Sequence, residues 1–169
     1  MIDQDFSMPN SEQLNTNLFN QFNKILKTEK FNQTDHFFDR FENTYIDEKN
    51  IPEISDIKKA VIQRASYLLG TDVAKLKCGF WFNAMNSGQK TSLHHHDEND
   101  ELLSCVYYIR IPKNSGDLIL HENQTITTVH PKEGLLVMFS PNIPHEVTPN
   151  NSDDMRLAVA FNIGPVDND

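Results

Sequence analysis

The chain has 169 residues, two cysteines and a formal charge of −9 from 15 basic and 24 acidic side chains. That length suits one domain with its own core, and the acidic excess opposes non-specific binding to nucleic acid or to an anionic membrane surface, so neither partner is expected. No apolar run reaches membrane length, and residues 1–13 lack the basic-then-apolar pattern of a secretory signal. Cys78 and Cys105 sit inside apolar runs rather than in a spaced framework, which reads as reduced thiols in a cytoplasmic protein.

Residues 1–10 read as frayed. Ser11 and Glu12 can open a helix in which Leu14, Leu18, Phe19, Phe22, Ile25 and Leu26 recur at three- and four-residue intervals, so one face is apolar. The pattern then weakens: residues 28–50 read as loop, with a short strand around 37–45. A second helix follows, with Ser55 as N-cap, a stripe of Ile57, Ala60, Val61, Ala65 and Leu68, and Gly70 to end it.

From Lys75 the period changes to two. Eight short runs are predicted as strands, at 76–85, 90–94, 103–111, 117–121, 125–129, 134–139, 145–148 and 156–163, separated by Gly, Pro, Asn and Asp clusters. Eight antiparallel strands in two facing sheets make a double-stranded β-helix, the jelly-roll or cupin-like architecture. The expectation is a mainly β fold with flanking helices. It forms one domain over 1–169, with residues 1–74 as a helical N-terminal cover and 75–164 as the β core.

The chemistry concentrates in His94-His95-His96-Asp97, followed about fifty residues on by His145 and then by Arg156. Alternate residues of a strand share a face, so His-x-His or His-x-Asp can grip one divalent ion. With a distant third ligand, such a site keeps positions open for a chelating substrate and dioxygen, as in non-haem Fe(II) oxygenases. Two registers are available, His94 with His96 or His95 with Asp97, and they exclude each other because a one-residue shift turns every side chain to the other face. A polar run of this kind also fits a solvated loop at a sheet edge. What favours a ligand set is its company, a histidine after the 141–144 turn and an arginine shortly beyond.

The motifs Trp81-Phe82-Asn83, Gly88, His94-His95-His96 and Ser104-Cys105-Val106-Tyr107-Tyr108 continue into Gly134 through Pro141, Pro144-His145, and Arg156 with Phe161-Asn162. Over residues 79–163 this order resembles the Fe(II)/2-oxoglutarate-dependent dioxygenases, in particular a small phage-like and bacterial branch. The resemblance implies that His94, His96 and His145 bind Fe(II); the six-residue step from Gly88 to His94 matches the branch and selects this register. It implies that Arg156 holds the distal carboxylate of the cosubstrate 2-oxoglutarate, with Tyr108 as a second partner. The implied activity is hydroxylation of a small-molecule or peptide substrate with release of succinate and CO2.

Departures from the pattern are Ala158, where many members carry a polar residue, and Ser104, displaced by two residues. The competing reading is a metal cupin, with Gly88, His94, His96 and Glu101 as its first motif and His145 as its later histidine. Such a protein has no use for Arg156. Trp81 and Phe82 divide between core and cavity wall, with one of the two expected in the core. His121 and His130 are expected at strand ends and His36 on the surface.

Overall fold

A computed structural model describes residues 1–37, 40–96 and 100–166. Eight strands fall on the runs read from the sequence: β4 (Leu76–Met85), β5 (Thr91–His94), β6 (Leu103–Arg110), β7 (Leu118–Glu122), β8 (Thr125–Val129), β9 (Leu135–Phe139), β10 (His145–Val147) and β11 (Arg156–Pro165). Three more lie in the first 45 residues, β1 (Ile2–Ser7), β2 (Asn32–Phe37) and β3 (Arg40–Tyr45), with helices α1 (Glu12–Ile25) and α2 (Ile54–Leu69). The large sheet runs β1-β9-β6-β11-β4-β3-β2 and the small one β5-β10-β7-β8, with every described pairing antiparallel. This is the double-stranded β-helix with flanking helices.

The alternation of β11 explains the layering. Leu157, Val159, Phe161 and Ile163 turn outward and join Leu18, Phe22, Ile57 and Val61 of the helices in one buried cluster. Ala158 turns inward to a second cluster between the sheets, with Tyr108, Leu118, Leu120, Val137 and Phe139. Of the Trp81-Phe82 pair, Phe82 is the core residue, fully buried with its ring 5.1 Å from Phe22, while Trp81 faces the other way. The C-terminal end of α2 is set by Gly70, whose φ of 61° is the left-handed conformation a helix stop requires. Its start lies at Ile54 rather than after Ser55, and no side chain caps it. Before β7, Gly116 has no substitute, since a Cβ there would stand 2.2 Å from the Thr148 carbonyl oxygen.

The amino-terminal third differs from the sequence reading. Residues 2–7 are not frayed: β1 pairs along β9 and forms one edge of the large sheet. The short strand expected around 37–45 is present as β3, and the stretch read as loop before it supplies β2; the two form a hairpin that extends the far side of the same sheet. β1 and β2 escaped because neither carries a regular apolar alternation. β3 buries Arg40, Glu42 and Thr44 and exposes Phe41 and Tyr45, an inverted pattern in which hydrophobic alternation points to the wrong face. β1 owes its form to backbone pairing with β9 rather than to propensity. The first third is therefore strands as well as a helical cover.

Candidate metal and carboxylate site

The inner face of the large sheet and the short strands opposite it enclose a cavity lined by His94, His96, His145, Tyr108 and Arg156, with Ala158 and Ala160 beneath. β5 and β10 are neighbours in register, so His145 stands directly across from His94. The three ring centroids are 4.3 Å (His94–His145), 4.8 Å (His94–His96) and 5.1 Å (His96–His145) apart. One ligand atom from each of the three lies within 4.8 Å of the others, a spacing that one ion can bridge. His95 is exposed and stands apart from this cluster, and Asp97 lies outside the described residues. Glu101, the fourth member of the cupin motif, is also outside the cluster and instead accepts a hydrogen bond from Asn162 Nδ2.

Two of the rings are oriented from behind. His94 Nδ1 lies 2.7 Å from the Ser92 carbonyl and His145 Nδ1 lies 2.9 Å from the Ile143 carbonyl. A carbonyl only accepts, so each Nδ1 carries the proton and each Nε2 presents its lone pair, the arrangement typical of metal-ligating histidine. Burial pushes His145 down to about 3 and His96 down to about 4, reinforced by neighbouring His94 in both cases. These imidazoles are neutral donors at physiological pH.

Arg156 begins β11 beside Met85 and is 2% exposed, its Nη1 3.3 Å from the Met85 sulfur. Its Nε has no partner, and among the described residues no carboxylate comes within ion-pair distance. Burial lowers its pKa despite the proximity of Tyr108 and Asp117. Tyr108 is fully buried with its ring centroid 5.4 Å from the guanidinium carbon; its hydroxyl is also without a partner, and burial pushes it up to about 12. A wholly buried cation without an anion is costly. The chemistry of such a pair suits an acid.

Sequence reasoning missed the support behind β5. Arg40 donates from Nη1 to the Lys90 carbonyl at 2.8 Å, and from Nη2 to the Ala84 carbonyl at 2.8 Å and Asn83 Oδ1 at 3.0 Å, joining β4 in the large sheet to β5 in the small one. Glu42, 3.8 Å from Arg40, accepts from the Ser92 backbone at 2.7 Å and from its hydroxyl at 3.0 Å. The same Ser92 carbonyl holds His94. Burial takes Arg40 down to about 10, with Glu42 opposing that fall and Arg156 adding to it. The signal was present as Arg-x-Glu-x-Thr, three polar residues on one strand face. His121 and His130 contact Glu146 and Asp117 in and just after their strands, and His36 is exposed against Phe41.

The family model described as 2OG-Fe(II) oxygenase superfamily matches residues 80–164, half of the chain. The chain belongs to the 2OG-Fe(II) oxygenase superfamily. Solved structures agree in fold. A prolyl-4-hydroxylase from Pseudomonas putida is 18% identical with a TM-score of 0.73, over 97% of this chain and 91% of that one. A prolyl hydroxylase from Trichoplax adhaerens, solved with a hypoxia-inducible-factor peptide fragment, is 20% identical with a TM-score of 0.67, over 97% and 82%. The epimerase SnoN of nogalamycin biosynthesis, solved with Fe3+ and α-ketoglutarate, is 11% identical with a TM-score of 0.70, over 90% and 74%. No curated protein matches the sequence.

A 2OG-Fe(II) oxygenase uses Fe(II) as its metal and 2-oxoglutarate as cosubstrate, and the residues present fit both. Three converging imidazoles, two with fixed ring orientation, suit a divalent transition metal. The unpartnered Arg156 Nε and Tyr108 hydroxyl, one strand apart in the same cavity, suit a carboxylate. Among the described residues, no helix is long and apolar enough to cross a membrane.

Proposed function

We propose that this oxygenase hydroxylates a small-molecule or peptide substrate, with His94, His96 and His145 holding Fe(II) and with Arg156 and Tyr108 holding the distal carboxylate of 2-oxoglutarate. The observation that carries the reading is the buried guanidinium without an anion in the same cavity as the three converging imidazoles. A planar guanidinium grips a carboxylate through paired, charge-assisted bonds, and it does so most strongly where water is excluded. A cupin that does without 2-oxoglutarate gives that arginine no task.

When bound, iron and cosubstrate supply the oxidation: dioxygen is consumed, 2-oxoglutarate leaves as succinate and CO2, and one oxygen atom enters a substrate C–H bond. The chain's own residues provide placement. Ser92 and Ile143 fix two ligand rings through their carbonyls, and Arg40 with Glu42 fixes Ser92. Ala158 and Ala160 leave room for the five-carbon acid above β11. Tyr108, neutral at any physiological pH, adds a hydrogen-bond donor beside Arg156 without adding charge. Three neutral ligands give the centre one more positive charge than a set containing a carboxylate, which favours a dianionic chelator.

The test is an anaerobic titration of the Fe(II)-loaded protein with 2-oxoglutarate, followed in air by succinate measurement against pools of candidate substrates. Saturable, iron-dependent binding with substrate-stimulated succinate is the expected result. Iron binding without any response to 2-oxoglutarate would return the protein to the cupin reading.

A further inference from the structure

The cavity floor is a ladder of rungs across β4, β11 and β6. The rung of Trp81, Ala160 and Val106 lies beside the histidines, with the Trp81 ring 5.5 Å from that of His96. The next rung outward is Gly79, Asn162 and Ser104. At ~3.3 Å per residue it is about 7 Å beyond the Trp81 rung and about 20 Å from Arg156. A five-carbon acid that is anchored on Arg156 and reaches the histidines stops short of it. A group held there belongs to whatever the enzyme oxidises.

Two polar atoms of this rung are unused. Ser104 is 3% exposed, and its hydroxyl has no partner. Asn162 donates from Nδ2 to the Glu101 carboxylate, which only accepts, so the amide orientation is fixed and Oδ1 is left buried without a partner. The two residues are direct neighbours across the β11–β6 ladder and both line the cavity, which sets their Cβ atoms about 5 Å apart. Glu101 is committed elsewhere: it holds Asn162 and, with Lys77, lines a separate recess. The described lining of the cavity itself contains no lysine and no carboxylate, and its one arginine, Arg156, stands at the opposite end.

An uncharged end that offers an amide oxygen and a hydroxyl side by side suits a neutral group with a donor and an acceptor on adjacent atoms. Building on the oxygenase reading above, we propose that the substrate carries a primary carboxamide, whose N–H donates to Asn162 Oδ1 and whose carbonyl accepts from Ser104 Oγ. A primary amide has one N–H on the same side as its carbonyl oxygen, so both bonds form along one edge. An ammonium brings a charge that this end of the cavity does not match, and a carboxylate has no donor for Asn162 Oδ1.

Trp81, the single tryptophan, lies one rung inward, so its fluorescence reports on this site. The experiment titrates the anaerobic Fe(II)·2-oxoglutarate protein with butanamide and, in parallel, with 2-pentanone, which keeps the shape and the carbonyl but has no N–H. Binding of 2-oxoglutarate is measured on the same samples. Butanamide is expected to bind at least about tenfold tighter than 2-pentanone, because the ketone leaves Asn162 Oδ1 unpaired. Ser104→Ala is expected to weaken butanamide about tenfold, and Asn162→Ala to remove its advantage over the ketone, with 2-oxoglutarate affinity unchanged in both. Ser104→Ala removes only an unpartnered hydroxyl, so that variant and the wild-type comparison decide the matter if Asn162→Ala does not fold. Equal binding of the two probes by the wild type, or wild-type butanamide affinity in Ser104→Ala, with 2-oxoglutarate bound normally, overturns the carboxamide assignment alone. Failure of 2-oxoglutarate to bind overturns the oxygenase reading and this assignment with it.

Discussion

His145 lies directly across the β5–β10 ladder from His94, their rings 4.3 Å apart. The proposed metal site is thus tied to strand register: a one-residue slip of either strand would turn one imidazole away from the cavity.

Replacing His145 by alanine is expected to lower Fe(II) affinity by more than about 100-fold, beyond the loss seen when only the support of a ligand is removed. Titration calorimetry measures it, with circular dichroism to confirm that the fold persists. His96→Ala should behave alike and His95→Ala should retain iron. The opposite pattern would move the ligand pair to His95 and Asp97.

Arg156→Lys keeps the charge and removes the planar fork. Loss of a paired, charge-assisted contact costs about 2–3 kcal/mol, so 2-oxoglutarate affinity should fall roughly a hundredfold while iron affinity is retained. Succinate formation should become undetectable in Arg156→Ala. Turnover at the wild-type rate in that variant would remove Arg156 from the site.

Arg40 and Glu42 are 3% and 5% exposed at their side chains. Removing either alone leaves an uncompensated buried charge, so Arg40→Ala or Glu42→Ala should destabilise the fold by about 3–5 kcal/mol, whereas Arg40→Met with Glu42→Leu should cost less than the two single changes together. Urea unfolding measures this. In the double variant iron should also bind more weakly, because Ser92 loses the support that holds His94.

Alkali should destabilise the protein. Burial raises the Cys105 thiol well above its ordinary value and Tyr108 to about 12, so both stay neutral in the folded chain at a pH where the unfolded chain ionises. The unfolded state then holds fewer protons, and stability falls as pH rises past about 9 for the thiol and between about 10 and 12 for Tyr108. The measurement is urea midpoint against pH, together with thiol alkylation at pH 8. Cys105 should resist alkylation until the chain unfolds.

Much of the β core was legible because its strands alternate cleanly between two apolar faces. The 156–163 run showed which residues face the cavity, and the runs at 76–85 and 125–129 match the observed strands to the residue. The histidines and arginine were legible through their spacing. Of the hairpin 32–45 only the short strand around 37–45 was legible, and not which way it faces, because its buried face is made of Arg40, Glu42 and Thr44, whose value lies in partners on β4 and β5 that local pattern cannot reveal.

β11 is the latest strand in the sequence, yet it occupies the middle of the large sheet, between β4 and β6. During synthesis those two strands must wait with unsatisfied backbone edges until residues 156–165 leave the ribosome and slot between them. A nascent or prematurely terminated chain would expose two sticky templates for self-association.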